Sequence, residues 1–269
     1  MNPDSSGPAG PVIALTYGHA GARHLQGLLR DQPELATTTA TGVLAACDQA
    51  ASAWRVAEGR PQGALSSLAK ASIRAMASAM IITITSRTGR PRWFEIAAAE
   101  PSAAQTFLDL FPGTRFVCMH RACQDVIYAT LRASPWGLAG QAYAPYTAAY
   151  PGSTIAALAA WWTDHAGSIL AFEREHPEAC MRLRYEDLAT DPARTGRQIR
   201  EFLGLREVPS LRDSLPDSLP ELPGETPRKP ADTPGCGADL PHGQIPPGLL
   251  AQVNELHHLL GYPPIGSST

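Results

Sequence analysis

A glycine-bearing turn near the start of the sequence has residue types that suit an anion. Gly18 and Gly21 follow the short apolar run 12–16, and a segment of helical spacing begins at Arg23. A turn between a strand and a helix points backbone N–H groups and the positive end of the helix at whatever lies above it. His19 adds a titratable side chain to the same turn. The chemistry expected here is the binding of a phosphate-like group.

A second turn receives an arginine and an aspartate from another apolar run. The run covers 115–119, and Arg121 and Asp125 follow it. Ligands of parallel sheets bind at the carboxyl ends of the strands, so the turns after Thr16 and His120 are where a site is expected. Two interpretations of Arg121 remain open, a ligand of an anion or an ordinary ion-pair partner of Asp125.

Short strands alternate with helices along the chain, and this alternation positions the two turns. Such a pattern favours a parallel sheet covered by helices on both faces. The predicted fold class is therefore α/β, a single domain of three layers in which a parallel sheet is flanked by helices. The predicted strands are 12–16, 92–96, 115–119 and 181–185, and the predicted helices are 23–30, 102–110, 124–131, 155–175 and 192–203.

The remaining segments have less regular patterns. Residues 36–80 carry alanine-rich helical patterns, whereas the β-branched stretch 80–86 fits a strand or a helix end. Residues 137–152, rich in Gly, Tyr, Pro and Ala, are predicted to form a loop over the site. Within the single domain 1–269, we expect a flexible tail at 1–10, a Pro-rich extended segment at 207–247 and a C-terminal helix at 248–262.

Length and charge exclude several functions. With 269 residues and 44% apolar content, the chain can bury a sizeable core. Acidic and basic residues nearly balance, 25 against 22, so no nucleic acid or anionic membrane is expected as a partner. The five scattered cysteines argue against a disulfide framework or a zinc site and fit a cytoplasmic location. The apolar runs fall short of the ~20 residues of a membrane span.

Two longer blocks carry a resemblance to a known family. One block, 182–205, includes Tyr-Glu-Asp-Leu starting at Tyr185, and the other, 115–125, includes Arg121. Together they resemble the PAPS-dependent sulfotransferases, which have a P-loop-like fold. The resemblance implies transfer of a sulfuryl group from PAPS to a hydroxyl or amine of a small molecule. It also implies that the turn at 18–25 wraps the 5′-phosphosulfate, that Arg121 binds the 3′-phosphate and that Tyr185 lies beside the adenine.

The chain departs from this family around the cofactor. His19 stands where lysine or arginine is usual, and Ala22 and Arg23 stand where paired hydroxyls are usual. Ala129 stands where the family has a serine one helical turn further on, and Thr130 beside it is expected to act in its place. The cofactor-binding residues implied by the resemblance are Gly18, His19, Ala20, Gly21, Ala22, Arg23, His24, Arg121, Thr130, Tyr185 and the late basic pair Arg228 and Lys229.

The catalytic segment departs furthest from the family. Counting back from Arg121 without gaps, the family's lysine and histidine fall on Ala97 and Ala99. Sulfuryl transfer needs a base on the acceptor and a cation or hydrogen-bond donors on the leaving phosphate, and methyl groups supply neither. The residues that could have taken over are His19, His24, Glu95 and Glu100.

Simpler interpretations of the same residues remain open. Tyr185 could be a core residue, and Glu95 could be a solvated carboxylate. His165 is expected to be a surface or satisfied core group. The leading hypothesis is a sulfotransferase-like transferase with PAPS or PAP as its cofactor and a small-molecule acceptor. The alternatives are a repurposed fold that runs another reaction in bacterial secondary metabolism and a non-catalytic binding protein; a homodimer is an open expectation.

Overall fold

The computed structural model describes residues 10–97, 101–134, 138, 142–206 and 233–266, in which strands and helices alternate. The strands are β1 (Val12–Leu15), β2 (Leu35–Thr39), β3 (Arg92–Ala97), β4 (Arg115–His120) and β5 (Cys180–Arg184). The helices are α1 (Ala22–Leu29), α2 (Val43–Ala57), α3 (Ser67–Thr88), α4 (Pro101–Leu110), α5 (Cys123–Ala133), α6 (Ala144–Ala149), α7 (Thr154–Glu175), α8 (Tyr185–Thr190), α9 (Pro192–Leu203) and α10 (Pro247–Leu260).

The five strands form one parallel sheet in the order β2-β3-β1-β4-β5. β1 lies at the centre, where Leu15 pairs with Ala97 on one side and with Cys118 on the other. The carboxyl ends of β1 and β4 therefore lie side by side. The α/β prediction is confirmed, and the two turns expected to form a site meet at one edge of the sheet.

Helices cover both faces of the sheet because the strand side chains alternate between them. On β1, Val12 and Ala14 pack into an apolar cluster with α1, α8 and α9. Ile13 and Leu15 pack into a larger cluster on the opposite face, with α2 to α5, α7 and α10. The sheet and the helices on its two faces make the three layers that the sequence predicts.

Strand β2 corrects the helical prediction for the start of 36–80. Leu35–Thr39 pairs with β3 at the edge of the sheet. Its three threonines are β-branched and favour a strand, although the run is too polar to stand out by hydrophobicity. The ambiguous stretch 80–86 lies within α3 and is helical throughout.

Part of the predicted loop 137–152 is also helical. Within the described part of this segment, α6 runs from Ala144 to Ala149 with Pro145 in its first turn. Proline fits that position because the first turn of a helix does not use its N–H. Tyr185, predicted as the end of a strand, is instead the first residue of α8.

By length and composition, helix α3 is apolar enough to cross a membrane. An 18-residue stretch of this helix has a mean hydropathy of 1.3, and 17% of that stretch is buried. The sequence had led us to expect no apolar stretch long enough for a membrane span. A single helix of this kind is by itself weak support for a membrane span.

Candidate active site

The turn between β1 and α1 is shaped by two residues with positive φ. His19 has a φ of 62°, and Gly21, the N-cap of α1, has a φ of 104°. No side chain caps α1, and within the described residues the N–H groups of Gly21, Ala22 and Arg23 have no hydrogen-bond acceptor. The side chains of His19 and Arg23 are exposed beside them. Open amides at the positive end of a helix attract an anion.

The first half of this turn packs against α6 and α7. Ala20 is buried and donates its N–H to the carbonyl of Tyr17 at 3.2 Å. A Cβ atom placed on Gly18 would lie 3.4 Å from the ring of Trp161 and 3.6 Å from the hydroxyl of Tyr143. Gly18 therefore joins the open amides of the turn to the aromatic side chains of Tyr143 and Trp161.

Arg121 lies against the same turn, with 1% of the residue exposed. Its Nη1 donates to the carbonyl of His19 at 3.0 Å, and its guanidinium lies 4.3 Å from the centre of the Tyr185 ring. Its backbone is fixed as well, because the Trp162 indole donates to its carbonyl at 3.0 Å and its N–H donates to the Tyr17 hydroxyl at 3.0 Å. The predicted phosphate ligand is thus at the turn, and its contact with phosphate stays a prediction.

Asp125 holds a late segment of the chain over this region. We call residues 233–240 the strap. The Asp125 carboxylate accepts the N–H of Gly235 at 2.7 Å and that of Gly237 at 2.9 Å. Within the described residues, Asp125 forms no ion pair with Arg121. The carboxylate therefore positions the strap.

Cys236 brings the strap into contact with the candidate site. Its Sγ lies 3.6 Å from Nη2 of Arg121, and the residue is buried. Burial raises the pKa of the Cys236 thiol to about 12, with the nearby Asp125 carboxylate acting in the same direction. The thiol is therefore protonated at neutral pH. Sequence reasoning missed this residue, because nothing local signals a contact with a residue so far away in the chain.

Tyr185 is completely buried between the two turns. Its ring lies 5.5 Å from that of His24, which is also buried, and a Cβ atom on Gly21 would overlap it. This burial favours the packing interpretation, and its position beside an adenine stays a prediction. Thr130 is buried in α5 and donates its hydroxyl to the carbonyl of Val126 at 2.8 Å. The Thr130 hydroxyl therefore donates its hydrogen bond within its own helix.

Glu95, on β3 in the interior of the sheet, is buried rather than solvated. Its carboxylate accepts the Thr38 hydroxyl at 2.5 Å, the Thr41 N–H at 2.6 Å and the Thr41 hydroxyl at 3.0 Å. Burial raises the pKa of Glu95, and these three hydrogen bonds oppose the rise. The contacts tie β3 to the start of α2. Of the other predicted residues, Glu100, Arg228 and Lys229 lie outside the described residues.

A cavity of about 870 Å³ opens beside Gly18. Aromatic side chains from the first turn, α6 and α7 line it, and they include Tyr17, Tyr143, Tyr146, Trp161 and His165. The sequence predicted that the 137–152 segment lies over the site, and Tyr143 and Tyr146 come from it. His165 was missed as a site residue. Its spacing of four residues from Trp161, which places both on one helix face, is the signal that could have found it.

The sequence pattern of the sulfotransferase family matches residues 11–209, which include both turns and the whole sheet. The chain belongs to the sulfotransferase family. No curated protein matches this sulfotransferase-family chain significantly in sequence.

Several solved sulfotransferase domains share its fold. The sulfotransferase domain from the curacin biosynthetic pathway superposes with a TM-score of 0.61 at 15% identity, covering 94% of this chain and 98% of that one. The sulfotransferase domain of the Synechococcus PCC 7002 olefin synthase gives 0.58 at 15% identity and covers 98% of both chains. A sulfotransferase from Alicyclobacillus acidocaldarius gives 0.53 at 14% identity, covering 94% of this chain and 96% of that one.

Proposed function

We propose that this protein transfers a sulfuryl group from PAPS to a hydroxyl or amine of a small molecule. The observation that carries the proposal is that Arg121 donates to His19 in the same turn in which the amides of residues 21–23 are open. Membership of the sulfotransferase family and the position of these groups at the carboxyl edge of the sheet support an anionic cofactor there.

The residues present fit a doubly phosphorylated nucleotide through backbone and guanidinium groups. The amides at 21–23 and the exposed Arg23 would hold the 5′-phosphosulfate, with His19 beside them. Arg121 would bind the 3′-phosphate, together with the pair at 228–229. When bound, PAPS supplies the activated sulfuryl group. Amides and guanidinium groups that face the leaving phosphate stabilise the charge that develops there.

The family pattern does not identify the residue that takes the proton from the acceptor. The methyl group of Ala97 ends β3 where the family keeps a polar side chain, and Glu95 is already committed to three hydrogen bonds. His19 and His24 flank the turn, one exposed and one buried. Among the predicted bases that lie in the described residues, His19 alone is open to solvent.

A second candidate function is a sulfotransferase fold that runs another biosynthetic reaction without PAPS. Alanines at 22 and 97 remove side chains on which the family relies, and the cavity of about 870 Å³ could hold a larger ligand. Two of the similar structures come from an olefin synthase and from the curacin pathway. A role in bacterial biosynthesis is therefore part of both candidates.

Calorimetric titration of PAP into the purified protein distinguishes the two. We expect binding that Arg121→Ala abolishes and Arg23→Ala weakens at least tenfold, because in the proposed complex each side chain would contact a phosphate. Arg197→Ala on the exposed face of α9 is the matched control and should bind as the parent does. Circular dichroism would show whether Arg121→Ala is folded, and the exposed Arg23 keeps the test valid if it is not. Absence of binding up to millimolar PAP would sink the PAPS proposal and favour the second candidate.

The remaining expectations stand as part of this proposal. The acceptor is a small molecule, the protein works in the cytoplasm, and it could act as a homodimer. Nucleic acid and membrane are not expected as partners, since the sequence carries 25 acidic and 22 basic residues in near balance.

A further inference from the structure

The histidine that lines the cavity has a defined tautomer. Nδ1 of His165 lies 2.8 Å from the carbonyl oxygen of Trp161. A carbonyl oxygen only accepts hydrogen bonds, so Nδ1 carries the proton and Nε2 of the neutral ring keeps its lone pair. Among the described residues, Nε2 has no hydrogen-bond partner. An oriented imidazole with an open lone pair is the form that acts as a general base.

The same cavity contains a buried donor that lacks a partner. Trp161 is 4% exposed, and its indole N–H has no hydrogen-bond acceptor in the described part of the chain. Buried N–H groups are almost always paired, so an open one that lines a cavity points to a ligand that supplies the acceptor. The His165 ring lies only 4.6 Å from the Trp161 ring, centre to centre. The open donor and the imidazole therefore belong to neighbouring rings of the same cavity.

The cavity reaches the turn that would hold the cofactor. Trp161 lies against Gly18 and 6.0 Å from the ring of Tyr17, measured between ring centres. His165 follows Trp161 by one helical turn on α7. A ligand between these side chains thus has the anion-binding turn on one side and the imidazole on the other.

The walls of the cavity indicate the kind of acceptor. Tyr143, Tyr146 and Trp161 present aromatic rings. Asp164 is the only residue with a permanent charge among the described residues that line the cavity, and its negative charge disfavours an anionic ligand. A neutral hydroxyl compound with an aromatic ring fits these walls.

We propose that His165 is the general base of the transfer and that the cavity binds a neutral aromatic alcohol, an inference that rests on the proposed function. The acceptor oxygen forms a bond to sulfur while its proton moves to Nε2 of His165. The bond from sulfur to the bridging phosphate oxygen breaks, and its electron pair leaves with the phosphate of PAP. The Trp161 indole N–H donates to the acceptor oxygen and holds it in line.

Nitrogen-15 NMR of the histidine rings tests the proposal without turnover. The signals of His165 are assigned by their loss in His165→Gln. We expect the protonated nitrogen to be Nδ1, and 2-naphthol added to the protein with PAP should shift the Nε2 signal. His258→Gln is the matched control, because His258 is an exposed histidine on α10. An Nε2-protonated ring, or no response to 2-naphthol, would overturn the assignment.

Kinetics with labelled PAPS and 2-naphthol provide the second test. His165→Gln should lower kcat by about 100-fold or more, with KM for 2-naphthol within about threefold, because the base acts mainly in the transition state. Calorimetry should show that His165→Gln and His258→Gln bind PAP as tightly as the parent does. Normal PAP binding with an unchanged kcat in His165→Gln would overturn the role of His165 alone. No transfer to 2-naphthol despite PAP binding would overturn the aromatic acceptor, and loss of PAP binding in the parent would overturn the proposed function itself.

Discussion

Gly21 is the residue on which the first turn depends. Its φ of 104° and the overlap of any Cβ atom with the Tyr185 ring exclude larger side chains. We expect Gly21→Ala to lower the free energy of unfolding by about 3 kcal/mol, from backbone strain and overpacking together. Urea denaturation of the parent and of Gly21→Ala measures this difference in the free energy of unfolding.

Gly27→Ala is the matched control for this substitution. Gly27 is exposed inside α1, and a Cβ atom there meets nothing within 4 Å. Alanine should raise the stability by about 0.5–1 kcal/mol, because glycine is a poor helix former. Equal effects of the two substitutions would show that the turn does not need a glycine.

The buried carboxylate of Glu95 makes stability depend on pH. Burial raises its pKa above the value of about 4.3 in the unfolded chain. As the pH rises from the unfolded value through the raised folded value, the folded state holds more protons and therefore loses stability. We expect Glu95→Gln to gain stability relative to the parent over this interval. Urea denaturation at pH 4.5 and at pH 7.5 measures the difference.

Glu175→Gln, on the exposed end of α7, controls for the change of charge. The difference between Glu95→Gln and the parent should grow with pH, while that for Glu175→Gln should stay constant. A decreasing difference would mean that the carboxylate is stabilised in the folded protein. Retained sulfuryl transfer in Glu95→Gln would separately exclude Glu95 as the base.

Among the elements, the strap is held by one side chain from α5. Asp125→Asn replaces one of the two oxygens that accept the amides of Gly235 and Gly237. Hydrogen bonds to a charged group contribute about 1.5–3 kcal/mol, so local opening of the strap should become at least tenfold more frequent. Hydrogen exchange at the amides of Gly235 and Gly237 measures how often the strap opens. Asp31→Asn, on an exposed residue, should leave their exchange unchanged.

The elements also show what the sequence could and could not reveal. The run 115–119 predicted β4 because its strand is buried on both faces and therefore apolar throughout. β2 was not predicted as a strand, because its threonines are polar and lie at a sheet edge. The turn after β1 and Arg121 could be predicted from local residues. Cys236 and the cavity could not, because they depend on packing between segments far apart in the chain.

Across the whole molecule, the sheet order was the least accessible feature. Alternating strands and helices predict a parallel sheet with two covered faces, and the structure has one. The same alternation is compatible with several orders of strands. The observed order places β1 beside β4, which brings His19 and Arg121 together. Tertiary pairing rather than local preference therefore creates the candidate site.

The central place of β1 also has a consequence for biosynthesis. β1 precedes both of its partners along the chain, since β3 is complete only at Ala97 and β4 only at His120. Pairings between distant segments form late, and unpaired apolar strands aggregate readily. The nascent chain therefore carries an apolar strand without partners until Ala97 has been added, and chaperones that shield such strands should affect how much of this protein a cell accumulates.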